Sequence, residues 1–296
     1  MTQQMMKTTL DRYRREMEDY FNAALLHASI PDQLSQAMRY SLMAGGKRVR
    51  PVLCLVWHEL LGGNRADIMD FAAALELIHT YSLVHDDLPA MDDDAYRRGQ
   101  PSNHARFGEP MAILAGDGLL TEAMHLMLTP ELPPSRVVSA CREVTLAAGP
   151  KGMVGGQVLD MGLNGPAPEN LEQLKTMHGM KTGAMLRAAC TGGALLAGAS
   201  SSDLDRAARY GENLGLAFQV ADDILDIEGD EAQMGKPVGS DERMRKSTYP
   251  GLLGLEPSRQ MGQDLAERAV EAIDAYSGNM ADFLEDLARY VVRRAE

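Results

Sequence analysis

Residues 81–104, YSLVHDDLPAMDDDAYRRGQPSNH, place Asp86, Asp87, Asp92, Asp93 and Asp94 within nine positions, with Arg97 and Arg98 just beyond. Five carboxylates that close repel one another unless a cation sits among them. Magnesium is the natural candidate, because it takes hard oxygen ligands and is usually held by a few carboxylates together with substrate phosphates. A second cluster, FQVADDILD, carries Asp222, Asp223 and Asp226. Spacings of three and four put these carboxylates along one helix edge. Two acidic helix ends in opposite halves of the chain predict a site between facing helices, where metal ions are shared with a diphosphate.

The cations point the same way. Lys47, Arg50, Arg97, Arg98, Lys181, Lys236 and Lys246 lie in Gly- or Pro-marked segments or beside the acidic clusters. Arg forks grip phosphate oxygens in pairs and Lys adds a point charge. Taken singly, each is a surface charge and each Asp run a solvated helix end. Taken together they predict a bound polyanion. His79 and His85 lie six apart, about 600° of helical turn, and need not share a ligand. Each is equally read as a satisfied core histidine. Glu76 with His79 and Glu122 with His125 form two ExxH pairs, the pattern of a di-iron carboxylate bundle. That alternative leaves both Asp clusters unexplained.

The elements that must position these groups read as helices. Residues 5–28 form an amphipathic run, and a second begins at Pro31 and Asp32 and runs toward Met43, where AGG ends it. Pro51 heads a third that stops at Gly62 and Gly63, the usual polarity of a helix. Over 67–87, Phe71, Leu75, Ile78, Ser82 and His85 share a stripe, with Leu77, Tyr81 and Val84 beside it. Further helices are expected near 112–128 and up to Gly149. KGMVGGQVLDMGL starts another whose glycines predict close packing, and 171–198 reads as one long buried helix with an irregularity at 181–183. A helix over 203–227, a polar functional loop at 229–250 and two closing helices near 256–276 and 280–294 complete the chain. No run alternates as a strand would. The expected fold is all-α, a single domain over residues 1–296.

Composition agrees. Of 296 residues 45% are hydrophobic and 24% charged, enough to bury a core. The formal charge of −13 argues against nucleic-acid or anionic-membrane partners. Three cysteines without CxxC spacing fit neither a disulfide framework nor a zinc site. No signal peptide and no membrane span are read, so a cytoplasmic setting is expected.

The motifs DDLPAMDDD with RRG, GGKRVRP, KTG, FQVADDILD and GDEAQMGKPVGSDERMRKSTYP occur in order, and together they resemble those of the trans-isoprenyl diphosphate synthases, nearest the bacterial farnesyl diphosphate synthases. The resemblance implies a helical bundle around a central cavity, a homodimer, and three Mg2+ ions per site with Mn2+ as an alternative. Asp86, Asp87 and Asp92 would hold metal against the allylic diphosphate, and Asp222 with Asp223 and Asp226 would hold the third ion. Asp86, Asp87, Asp92, Lys181, Asp222 and Lys236 would be catalytic. Arg97, Lys181, Thr182, Gln219, Lys236 and Lys246 fall where the family grips the allylic diphosphate. Lys47, Arg50, His79 and Arg98 fall where it binds isopentenyl diphosphate. Arg293 and Arg294 would help to cap that site. The implied reaction condenses dimethylallyl or geranyl diphosphate with isopentenyl diphosphate to farnesyl diphosphate. A C20 or C10 product is the nearest rival; a terpene cyclase and a regulatory subunit are the other classes. Tyr81, with Ser82 beside it, lies about one and a half turns before Asp86, where a bulky ring in this family goes with a C15 product; core packing is its plain reading.

Overall fold

The structure is a computed structural model and describes residues 3–24, 30–165, 168–228 and 247–294. Its helices are α1 Gln3–Ala24, α2 Asp32–Leu42, α3 Val49–Leu60, α4 Met69–Asp86, α5 Asn103–Phe107, α6 Glu109–Met127, α7 Pro134–Ala148, α8 Met153–Asp160, α9 Leu171–His178, α10 Ala184–Ala197, α11 Ser201–Glu228, α12 Tyr249–Leu253, α13 Leu255–Ala272 and α14 Asn279–Arg293. A π-helical turn, Gly179–Gly183, joins α9 to α10. The irregularity expected inside one long helix is therefore real, and it carries Lys181 and Thr182.

Helix α4 runs through the core rather than along it. Residues 71–78 are buried on every face, because Phe71, Leu75 and Ile78 are matched by Ala72, Ala73, Ala74 and Leu77 on the opposite sides. A helix apolar all round belongs inside, so the single stripe expected for this segment understates its burial. It packs against α6 and α3, and α10 packs against α3, α7 and α11. The α3–α10 seam is tight: a Cβ built on Gly193 would stand 2.1 Å from the Cys54 carbonyl oxygen. A backbone oxygen cannot rotate away. Gly193→Ala is expected to cost about 1–3 kcal/mol, read as a lower midpoint in thermal or urea unfolding.

Two details differ from the sequence expectation. Tyr96–Arg97 and Gln100–Pro101 pair as a two-stranded antiparallel hairpin. Strands this short carry no alternation to read. Its loop residues Arg98 and Gly99 have φ of 52° and 78°, the positive values a two-residue hairpin loop favours. Ending the polar stretch, 249–253 is the helix α12, while 229–246 lie outside the described residues. Among the described residues no helix is long and apolar enough to cross a membrane.

Candidate active site

Asp86 closes α4, and the chain folds back at once: Asp92 N–H donates to the Asp86 carbonyl at 2.9 Å and Asp93 N–H to the Leu88 carbonyl at 3.1 Å. This turn returns Asp92 toward Asp86. The Asp86 carboxyl is pushed up to about 6, first by burial, with Lys181 opposing and then Asp92 adding its like charge. A carboxylate in that position is short of a cation. Asp87 is differently placed. It is 2% exposed and accepts from Arg97 Nε at 2.9 Å and also from Arg97 Nη2. The same guanidinium donates to Asp94 at 3.0 Å. The hairpin turns Arg97 toward Asp87 and sends Arg98 the other way, where its Nη1 donates to the Gly45 carbonyl.

The second acidic cluster lies near the end of α11. Asp222 Oδ1 accepts from Arg294 Nη2 at 2.6 Å, and that guanidinium lies 4.1 Å from the centre of the Phe218 ring. Asp223 is 3% exposed; it accepts from Gln219 Nε2 at 3.0 Å and from the Tyr249 N–H at 3.0 Å. Asp226 is buried too. The π turn connects the two clusters. Lys181 Nζ donates to Asp160 at 2.5 Å and acts on the Asp86 carboxyl, while Thr182 donates to Gln219 at 3.2 Å. Lys181 and Thr182 thus stand side by side on the π turn, the first acting electrostatically on Asp86 of α4 and the second bonded to Gln219, which donates to Asp223 on α11.

A cationic pocket adjoins it. His79 is held well below the ordinary histidine range by burial first, then by Arg50, Arg98, Arg48 and Arg97. Burial also lowers Arg50 and Arg98, with Glu76 opposing in both cases. Arg50 Nε is buried without an acceptor among the described residues. Lys47 stands 5.7 Å from the centre of the Phe218 ring, held below the ordinary lysine value by burial and Arg294 while Asp222 opposes. Such a cluster calls for an anion.

Tyr81 is 8% exposed, its ring edge-on to His85 with centroids 5.8 Å apart. His85 turns to α6, its Nε2 3.1 Å from the Ile113 carbonyl over Gly116. It is thus a packed histidine beside the site. Ser82 spends its hydroxyl on the His79 carbonyl at 2.9 Å.

Asp87, Asp222 and Asp223, all read from sequence as metal ligands, each accept from protein donors in this structure. Asp86, brought back to Asp92 by the turn and pushed up by burial, is the carboxylate that most needs a cation. Among the described residues no three His, Cys, Asp or Glu side chains converge into a ready-made chelate. This donor set fits magnesium, which takes one or two carboxylates and completes its shell with phosphate oxygens and water. The di-iron alternative fails, since Glu76 is bonded to Arg48 and His125 is exposed. Lys236 and Lys246 lie outside the described residues. Arg48, Asp160, Phe218 and Tyr249 were missed; none stands at a telling spacing, and each enters through a partner distant in sequence.

Residues 31–286 match the family model described as polyprenyl synthetase. The chain is 44% identical over 289 residues to a geranylgeranyl diphosphate synthase of Cyanophora paradoxa, covering 97% of this chain and 96% of that one. It is 44% identical over 282 residues to a farnesyl diphosphate synthase of Micrococcus luteus, covering 95% and 96%. Among solved structures it resembles an FPP/GFPP synthase from Zymomonas mobilis, with a TM-score of 0.87 and 32% identity over 98% of this chain and 100% of that one.

Proposed function

The chain belongs to the polyprenyl synthetase family, and we propose that it is a magnesium-dependent farnesyl diphosphate synthase joining dimethylallyl or geranyl diphosphate to isopentenyl diphosphate. The observation that carries this reading is the π turn that sets Lys181 near Asp86 and bonds Thr182 to Gln219 and Asp223, together with a separate group of cations, Arg50 and Arg98, around His79. Two anions need two grips. Lys181, Arg97, Thr182 and Gln219 would orient the allylic diphosphate, with Lys236 and Lys246 as further grips. Lys47, Arg50, His79 and Arg98 would take isopentenyl diphosphate.

Magnesium, when held by Asp86, Asp92 and Asp222, supplies Lewis-acid neutralisation of the departing pyrophosphate. Lys181 and Arg97 add fixed positive charge at the same place, worth most where water is excluded. The allylic C–O bond breaks, the isopentenyl double bond attacks the allylic carbon, and a proton leaves to the pyrophosphate. His79, held well below the ordinary histidine range by burial and the arginines around it, is a weak base for that proton. We read residues 1–296 as one synthase domain. Ile113 and Leu114, exposed at 45% and 55% on α6, support a homodimer contact there, and the free thiols of Cys54, Cys141 and Cys190 support a reducing, cytoplasmic setting.

A geranylgeranyl product is the second reading, favoured by the Cyanophora relative at the same 44% identity. Incubating the purified chain with labelled isopentenyl diphosphate and each allylic primer, with and without magnesium, tests both. A C15 product dependent on metal is expected; a C20 product replaces the farnesyl reading, and no condensation removes both. Tyr81 supports C15, because its buried ring lies about one and a half turns deeper along α4 than Asp86. Tyr81→Ala is expected to shift the major product to C20 or longer. If chromatography still shows C15 alone, the floor of the cavity lies elsewhere.

A further inference from the structure

Beneath the cationic pocket lies a carboxylate that the condensation chemistry does not require. Glu76, on α4 three residues before His79, is 2% exposed. A buried carboxylate is tolerated only when paired and hydrogen-bonded. Glu76 is paired: Arg48 Nη1 donates to it at 2.7 Å, and the Arg48 side chain is itself 0% exposed. Arg48 Nη2 donates to the Leu42 carbonyl at 2.6 Å, and its guanidinium carbon stands 5.4 Å from the centre of the Phe21 ring. Both terminal nitrogens of Arg48 are taken, while its Nε is buried without an acceptor among the described residues.

The strut sits where the backbone is under constraint. Arg48 has φ of 52°, a left-handed conformation uncommon for a residue with a side chain. It lies between Lys47 and Arg50, so whatever fixes Arg48 sets how those two cations leave the corner between α2 and α3. The opposite wall repeats the arrangement. Arg98, also at φ 52°, donates to the Gly45 carbonyl, and a Cβ on Gly46 would stand 2.8 Å from its guanidinium. Glu76 raises both Arg50 and Arg98 against burial. It is their shared counter-charge.

We propose that Glu76 is a positioning residue for the second diphosphate: through Arg48 it fixes the corner that presents Lys47 and Arg50. The assignment rests on reading that pocket as the isopentenyl diphosphate site. Arg48 gives both terminal nitrogens to protein acceptors, Glu76 and the Leu42 carbonyl, while its Nε, like that of Arg50, is buried without an acceptor among the described residues. With both terminal nitrogens of Arg48 taken by the protein, Arg50 and Arg98 are the guanidiniums assigned to the diphosphate.

The test is steady-state kinetics of Glu76→Gln, varying each substrate in turn. KM for isopentenyl diphosphate is expected to rise about tenfold or more, the scale of one lost ionic hydrogen bond, while KM for the allylic primer stays within about twofold of wild type. Glu76→Gln leaves Arg48 buried without its partner, so an apolar double variant, Arg48→Met with Glu76→Leu, serves as the control for folding, since such replacements of buried pairs are often neutral for stability. It is expected to fold and to keep the isopentenyl defect. A wild-type KM for isopentenyl diphosphate in the folded double variant, or equal rises in both KM values, overturns the proposal. Failure of both variants to fold overturns it as well, because the pair is then a core strut alone. If the wild-type chain itself condenses nothing, the functional reading falls, and the positioning role with it.

Discussion

Asp86→Asn is expected to cut condensation by about 10²–10³-fold at saturating magnesium and substrates, and yet to raise the stability of the metal-free protein at pH 7.5. Both effects follow from one carboxyl pushed up to about 6. Its unfolded counterpart ionises near 3.8. The folded state therefore holds this proton more tightly than the unfolded state does. The resulting stabilisation is complete below about pH 4 and is lost as pH rises through about 6. Above that, the native fold carries a charge that burial and Asp92 oppose. Asparagine cannot acquire it, so the variant should gain about 1–3 kcal/mol over metal-free wild type near pH 7.5 and about nothing near pH 4. Magnesium should stabilise wild type more than the variant, because the ion compensates the charge in place. Unfolding midpoints of both proteins across pH 4–8, with and without magnesium, measure the difference directly. A variant no more stable than wild type at every pH would remove the link between Asp86 and metal demand.

Much of this site was legible because its signals are local. The spacing of Asp222, Asp223 and Asp226 puts them along one helix edge whatever the tertiary fold, and the glycine-flanked KTG stretch did mark the π turn that carries Lys181 and Thr182. What spacing cannot reveal is which carboxylate a distant donor will claim. Asp86 and Asp87 are adjacent, about 100° apart on a helix, and Arg97 bonds the second of them. Asp222 and Asp223 are both claimed from afar, Asp222 by Arg294 and Asp223 by the Tyr249 N–H, with Gln219 one turn back. Glu76 shows the limit most clearly. In sequence it reads as half of an ExxH pair; in the fold it belongs to Arg48, whose side chain is fully buried. Burial of an arginine is the least common outcome for that residue type, so no periodicity argument would have chosen it. The burial of α4 was within reach, since the alanines opposite Phe71 and Ile78 leave Glu76 as the one polar residue over 71–78.

Lys181→Gln should lower kcat/KM for the allylic primer by about 10²–10³-fold and leave KM for isopentenyl diphosphate within about threefold. The reason lies in how the lysine is seated. Helix α8 supplies both its floor and its counter-charge: a Cβ on Gly156 would stand 2.3 Å from the Lys181 backbone nitrogen, and Asp160, one turn further along α8, accepts from Nζ at 2.5 Å. The ammonium is thereby held within electrostatic reach of Asp86 at the point where α4 and α11 communicate. Pyrophosphate carries more charge as it departs than while it is esterified, so a fixed cation there favours the transition state over the bound substrate. Glutamine keeps a donor of similar reach and loses the charge, which isolates the electrostatic part. Gly156→Ala offers an independent route to the same defect. Its methyl group must displace the π turn or α8, moving Nζ without altering it, and the allylic kcat/KM is expected to fall by about tenfold or more while Lys181 stays intact. If the loss in Lys181→Gln appears instead in KM for isopentenyl diphosphate, the two diphosphates occupy the opposite pockets, and the roles given to Arg50, Arg98 and His79 exchange with those of Lys181 and Arg97.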